Sequence, residues 1–188
     1  RTVLGVTAPG TERDGRMTRL FAEKSGTPPE AERKAMAERA AALKKAGKAA
    51  KIVVFPARVA GALDVAQGNA LARLLGDACA ATASDVKPVL DIQATPNEQR
   101  TLWDLARSFK AHLAKNPVDA DYALIADYMT SPDRKFVGAV HFVICTGKGE
   151  WVVADFQNDH HEDFQAVAPA STTDCDKLVL KRLQAVLH

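Results

Sequence analysis

This chain of 188 residues has almost no excess of charge of one sign, and it has no long apolar run. Its 25 basic and 23 acidic residues give a formal net charge of +2, so the composition carries no electrostatic footprint for nucleic acid or an anionic membrane. No apolar run approaches the roughly 20 residues that a membrane-spanning helix needs. Hydrophobic residues nevertheless form 47% of the chain, which favours a folded domain with a core over disorder.

Cysteine is the second scarce residue type. Cys79, Cys145 and Cys175 allow at most one internal disulfide, and their spacing matches no metal motif. We interpret all three as small buried hydrophobic residues. The alternative is a bridge between Cys145 and Cys175, which both lie in the C-terminal part of the predicted fold.

Aromatic residues form only 6% of the chain, and the predicted core uses most of them. Trp103 is an exception, because it falls outside the apolar stripe of its predicted helix. An exposed Trp103, together with Trp151, is therefore our candidate for a binding surface. The alternative is that Trp103 covers the edge of the core.

Residues 135–163 contain the clearest structural signal, two apolar runs joined by a Gly-Lys-Gly sequence. Their Val, Phe and Ile content predicts two strands on either side of a tight turn. Alternation along the first strand predicts one core face, formed by Phe136, Val140, Phe142 and Ile144. With the turn centred on the lysine, Cys145 lies opposite Trp151 and His141 lies opposite Asp155.

The rest of the chain alternates predicted strands and helices. Apolar runs predict strands at residues 2–6, 51–58, 86–92 and 121–129. Helical spacing predicts helices at residues 63–82, 95–115 and 173–187. This order predicts an α/β (α+β) fold with a mixed sheet of about five strands, helices mainly on one face, a C-terminal three-strand meander and a final helix.

Residues 1–50 form a separate predicted unit, and residues 51–188 form the α/β domain. Within the first unit, residues 31–46 are rich in alanine and charge, and they follow a capping-box sequence at residues 27–30. Such a helix buries little apolar area, so we expect a solvated arm or a lid on one edge. Packing of residues 27–50 against another copy would give an oligomer.

Residues 158–163, NDHHED, are the densest cluster of ligand-type side chains. Imidazoles and carboxylates suit zinc or another transition metal, and the candidate ligands are His160, His161, Glu162 and Asp155. Adjacent histidines in an extended segment point apart, and helical ligand spacing is absent. The alternative is a solvated polar loop without a cofactor.

A second polar cluster joins Asp127, His141 and Asp155. In a meander with short turns, all three residues lie close together on one face. A histidine flanked by carboxylates can act as a general acid or base, so these residues are the catalytic candidates if the protein is an enzyme. The alternative is a histidine in a surface ion pair, which contributes little to stability.

The sequence KIVVFPARV at residues 51–59, followed by a helix that begins with Asp64 and carries ALARLLGDA, resembles the opening of certain bacterial envelope domains. These are the amino-terminal domain of TolB, the curli-export lipoprotein and the lipoprotein activators of penicillin-binding proteins. The resemblance covers about residues 51–156, departs in the Ala-rich helix and the NDHHED tail, and transfers no site residue. It implies an extracytoplasmic binding or assembly module without catalysis.

We therefore expect an exported, non-catalytic binding or assembly module of the bacterial cell envelope, either periplasmic or lipid-anchored. Its expected partner is a protein or an envelope polymer, without nucleic acid and without a transmembrane span. The chain begins at Arg1 without Met, which fits a mature protein whose export signal has been removed or a trimmed chain. The alternative is a metal-dependent hydrolase built on His141, Asp155, His160 and Glu162.

Overall fold

A computed structural model describes residues 26–188 as five α-helices and seven strands. The strands are β1 (Lys51–Val54), β2 (Ala57–Val59), β3 (Ala62–Asp64), β4 (Ala80–Ala83), β5 (Tyr122–Thr130), β6 (Val137–Thr146) and β7 (Trp151–Asn158). The helices are α1 (Glu30–Ala46), α2 (Val65–Leu75), α3 (Glu98–Lys115), α4 (Glu162–Val167) and α5 (Thr172–Leu187). The strand predicted at residues 2–6 lies outside the described residues.

The seven strands form one mixed sheet in which β5 is central. On one side of β5 lie β1 and β2, which are both parallel to it and are separated by Phe55 and Pro56. The outermost strands on that side are β4, parallel to β1, and β3, antiparallel to β2. On the other side, β6 and β7 complete an antiparallel meander. The predicted α+β class, meander and final helix are confirmed, but the predicted strand at residues 51–58 is two strands because Pro56 breaks it.

Both faces of the sheet are buried, which the sequence pattern did not predict for β6. Val140, Phe142 and Ile144 contribute to a core cluster under α2, α4 and α5. Val143 and Cys145 contribute to a second cluster under α3. Phe136, which we assigned to the core face, precedes β6 and is exposed.

Helix α1 covers the outer edge of β7. Leu43 is fully buried in the first core cluster, and the Arg39 guanidinium donates a hydrogen bond to the carbonyl oxygen of Trp151 at 2.8 Å. The N-cap residue of this helix is Pro29, which makes no side-chain capping hydrogen bond, so the N-cap lies two residues after Thr27, the position that we predicted as the cap. We predicted a solvated arm or a lid on one edge, and the helix lies at the edge of β7, where a lid would be. The unpaired edge of a strand needs such protection.

Residues 84–97 contain no strand, although we predicted one at residues 86–92. After Ser84, whose amide still donates to β1, the backbone is bound to side chains of α3. The amide of Asp91 donates to Ser108 Oγ at 2.9 Å, and the amide of Gln93 donates to Asp104 Oδ2 at 3.1 Å. The strand beside β1 is β4, because α2 ends at Leu75 and not at the predicted position 82.

All three cysteines are free and buried, so the alternative of a bridge between Cys145 and Cys175 is wrong. The two thiols belong to the core clusters on opposite faces of the sheet. Burial raises the pKa of Cys79 to about 11 and the pKa values of Cys145 and Cys175 to about 12. The thiols are therefore protonated and inert at neutral pH. No helix between residues 26 and 188 has the length and apolar content that crossing a bilayer requires.

Candidate functional site

The predicted metal ligands do not converge. The His160 side chain is largely exposed and lies 3.6 Å from Asp159 Oδ1, whereas His161 Nδ1 lies 2.7 Å from Asn158 Oδ1. Asp155 accepts two hydrogen bonds from Arg182. Residues 26–188 hold no group of three or more His, Cys, Asp or Glu side chains that could bind a metal ion. His160 lies in the turn before α4, and His161 directly precedes that helix.

The predicted pairing of His141 with Asp155 is wrong, because the β6–β7 register shifts between Ile144 and Cys145. Cys145 does lie opposite Trp151, as predicted. Beyond the shift, His141 lies opposite Phe156, and Asp155 turns to the other face of the sheet. One displaced residue exchanges the faces of every side chain that follows it.

Trp103 and Trp151 are buried, with exposed fractions of 7% and 9%. Their ring centroids lie 5.7 Å apart in an edge-to-face arrangement, and the Trp151 indole N–H donates to the carbonyl oxygen of Ala106 at 2.9 Å. Helix α3 lies across the second face of the sheet, and its residue Trp103 packs in the second core cluster together with Trp151. The two tryptophans are thus core residues in this structure and do not form the exposed surface that we predicted.

A fully buried pair of polar residues lies where β5 meets β6. Asp127 and His141 are directly opposed in the sheet register, and both have an exposed fraction of 0%. His141 Nδ1 lies 3.3 Å from Asp127 Oδ2, which is the contact that we predicted between these two residues. His141 Nε2 is buried without a hydrogen-bond partner among residues 26–188.

Arg58 completes this cluster from the strand on the other side. It lies opposite Asp127 in the β2–β5 register, and its Nη1 donates to Asp127 Oδ1 at 3.1 Å. Sequence reasoning missed this arginine because it treated residue 58 as the end of a strand. A charged residue that continues a buried apolar strand was the available signal, since buried charges are normally paired.

The geometry of the cluster does not suit proton transfer to a substrate. Asp127 and His141 have no access to solvent, and among residues 26–188 their side-chain hydrogen bonds, ion pairs and ring contacts join them only to each other, to Arg58 and to the ring of Phe156. A general acid or base must reach the atom that it protonates. The arrangement can instead fix the position of Arg58. Of the three side chains in the cluster, only that of Arg58 reaches the surface.

Arg58 opens into a depression of about 510 Å³ that we call the Arg58 depression. One wall is the β2–β3 hairpin, and the other is the segment of residues 87–92. Its lining includes Arg58, Gly61, Leu63, Lys87, Leu90 and Ile92. This volume lies within the range of small-molecule and peptide side-chain sites, roughly 300–1,000 Å³.

The opposite side of the same segment borders a larger groove of about 720 Å³ beside α3, which Val89, Asp91 and Gln93 line. Alternate residues of the extended segment therefore face the two depressions, as in a strand. The buried carboxylate of the larger groove, Asp104, already has its partners. Asp104 accepts from Arg107 and from the amide of Gln93, and it lies 3.5 Å from Arg100.

The outer edge of β4 is unpaired among the described residues. The amides of Ala80 and Ser84 donate to β1 and its flanking residue, so the alternate amide of Ala83 points away from the sheet, whereas the amide of Ala81 donates to the carbonyl oxygen of Cys79 at 3.0 Å. The chain continues from this edge into residues 84–92, where Val86 is exposed and Val89 has an exposed fraction of 89%. We call β4 together with residues 84–92 the edge surface.

A second buried polar network joins α5 to the sheet and to α2. Asp176 accepts hydrogen bonds from the Tyr128 hydroxyl and from Gln67 Nε2, the latter at 2.8 Å. Burial raises the pKa of Asp176 from 3.8 to about 6, although both hydrogen bonds act in the opposite direction. The folded protein therefore binds a proton at Asp176 more tightly than the unfolded chain does.

We expect the free energy of unfolding to fall as the pH rises from about 4 to about 6, because over this window the folded state holds the additional proton. Above the window this contribution is fully lost and stability levels off. Asp176→Asn keeps the shape of the side chain but does not titrate. The variant should therefore lack this dependence on pH, and its free energy of unfolding at pH 7 should exceed that of the wild type by about 2 kcal/mol. Urea unfolding across this range measures both effects, and an unchanged slope in the variant would assign the proton to another group.

Comparison of the chain with protein-family models, with curated proteins and with solved structures found no match. The assignment of a function therefore rests on the residues and their geometry. The resemblance of residues 51–156 to bacterial envelope domains stays a prediction.

Proposed function

We propose that this protein is a non-catalytic binding or assembly module of the bacterial cell envelope, and that its partner is a protein. The observation that carries the proposal is the edge surface, where the unpaired edge of β4 continues into the exposed residues Val86 and Val89. The assignment to the envelope rests on the resemblance of residues 51–156 to envelope domains. A metal-dependent hydrolase has no comparable support, because His141, Asp155, His160 and Glu162 do not converge within residues 26–188.

An extended protein segment is the partner that fits this surface. The outward amides and carbonyls of a strand edge are complementary to another strand, and such pairing supplies affinity through main-chain hydrogen bonds. Exposed apolar residues beside the edge add contact area, and Val89 is exposed although its neighbours Leu90 and Ile92 pack against the core. An envelope polymer of sugars would find few polar side chains on β4, whose sequence is Ala-Ala-Thr-Ala.

Selection of peptides from a random displayed library on the purified chain tests this proposal. We expect enriched peptides with alternating apolar residues, whose affinity falls at least about tenfold for Ala83→Pro and for Val89→Asp. Ala83→Pro removes an outward amide and leaves the bonds to β1 in place, so the variant should keep its fold.

The matched control is Phe136→Asp, which changes another exposed apolar residue, in the β5–β6 connection. This variant should bind the selected peptides like the wild type. Failure to enrich any peptide, or enriched peptides that bind all variants equally, would refute the edge surface as the binding site.

A further inference from the structure

We infer that the Arg58 depression binds an organic carboxylate that carries a short apolar body. This inference rests on the proposed function as a binding module and specifies the ligand of one part of its surface. The depression and the edge surface share residues 87–92, so a partner on the edge surface can place one group in the depression.

The floor of the depression is a positioned guanidinium. Arg58 Nη1 is bound to Asp127, and the other oxygen of Asp127 contacts His141, so two fully buried side chains fix the orientation of Arg58. Among residues 26–188, Nη2 and Nε of Arg58 have no hydrogen-bond partner. A planar guanidinium with free donors matches the two oxygens of a carboxylate.

The charge around the depression favours a ligand with a single negative charge. Arg58 and Lys87 both line it, and Asp127 lies directly behind Arg58. Two cations and one buried anion give a local charge of about +1, which one carboxylate neutralises. A doubly charged phosphate would need further donors, and the remaining lining is mostly apolar.

The walls of the depression suit an apolar body. Leu63, Leu90 and Ile92 line it while packing partly against the second core cluster. Gly61, in the turn of the β2–β3 hairpin, has φ +84 and carries no side chain to occupy the space in front of Arg58. A Cβ at this position would lie 3.8 Å from Arg58 Nη2. The combination of a fixed cation and apolar walls is typical of sites that orient amphipathic ligands.

The carboxylate can be the free C-terminus of a protein or a small organic acid, and the two sources are distinguishable. The probes are a short acetylated peptide that ends in leucine, the same peptide with a carboxamide end, and the pair hexanoate and hexanamide. Calorimetry gives their dissociation constants, and amide chemical shifts of the isotope-labelled chain locate the site. We expect the free-acid peptide to bind at least about tenfold more tightly than its amide, with shifts at residues 58–63 and 87–92.

Variants test the two cations without leaving Asp127 unpaired. Arg58→Lys keeps a positive charge beside Asp127 but loses the planar fork, and Lys87→Ala removes the exposed cation. Each substitution should weaken binding of the free-acid peptide by about threefold to tenfold and leave binding of the carboxamide peptide unchanged. The matched control is Lys115→Ala, which removes a lysine from the larger groove and should have no effect.

The outcomes separate this inference from the proposed function. Tighter binding of both free acids than of their amides supports the site. Much tighter binding of the free-acid peptide than of hexanoate identifies a protein C-terminus as the ligand. Equal affinities for acid and amide, shifts elsewhere, or no binding of any probe would overturn the inference. Binding of displayed peptides at Val89 would still support the module in that case, because that selection does not depend on a carboxylate.

Discussion

Gly68→Ala is expected to lower the free energy of unfolding by about 2–3 kcal/mol, although alanine is the better helix former. Gly68 lies in the first turns of α2, where the helix crosses the break between β1 and β2. A Cβ at this position would lie 2.7 Å from both the carbonyl oxygen of Phe55 and Cα of Pro56. Both atoms belong to the backbone, so only a displacement of the helix from the sheet can relieve the contact.

The surroundings of this contact resist such a displacement. The amide of Phe55 donates to the carbonyl oxygen of Leu124 at 2.9 Å, and its ring packs edge-to-face on Phe109 on the other face of the sheet. The gain of about 1 kcal/mol in helix propensity is therefore smaller than the cost of overpacking. In a domain of this size the expected loss corresponds to a decrease of roughly 4–12 °C in the midpoint of thermal unfolding.

Thermal and urea unfolding measure this effect, and Gly76→Ala is the matched control. Gly76 ends the same helix with ordinary right-handed backbone angles, and the closest atom to a Cβ there lies 3.1 Å away in the preceding turn. The control should change stability by less than about 1 kcal/mol. A Gly68→Ala variant as stable as Gly76→Ala would show that α2 does not approach the strand break as closely as the structure places it.

The sequence pattern predicted the parts of the fold that depend on local preference and alternation. Apolar alternation predicted the last three strands and the contact of Asp127 with His141, since both residues lie within regular stretches of β5 and β6. The same alternation failed for Asp155, because the register shift before Cys145 depends on how the turn packs and not on side-chain type.

Tertiary partners explain the remaining errors. Residues 86–92 have the composition of a strand, but the amides of Asp91 and of the following Gln93 bind Ser108 and Asp104 of a helix that follows in the chain. The Ala-rich stretch after Leu75 could continue a helix, but pairing with β1 makes it a strand. Arg58 has the sequence context of a strand end, and its partial burial is explained only by Asp127, which lies opposite it in the neighbouring strand. The edge surface and the Arg58 depression both arise from these long-range pairings, so neither could be predicted from local sequence.

Arg58→Met is expected to lower the free energy of unfolding by about 3–5 kcal/mol. The substitution keeps the length of the side chain but leaves Asp127 fully buried without its guanidinium partner. Removal of one member of a buried ion pair is far more destabilising than loss of a surface pair, because the remaining charge stays out of water. Urea unfolding of the purified variants measures the loss.

Arg134→Met is the matched control, since Arg134 pairs with Asp64 at nearly the same distance, 3.2 Å, but both side chains reach solvent. It should cost less than about 1 kcal/mol. The double variant Arg58→Met/Asp127→Asn should be more stable than Arg58→Met alone, because it removes the uncompensated charge while the asparagine oxygen can still accept a hydrogen bond from His141. Equal losses for Arg58→Met and Arg134→Met would mean that the buried cluster does not hold Arg58 in place. The guanidinium would then lack the fixed position on which recognition of a carboxylate in the Arg58 depression depends.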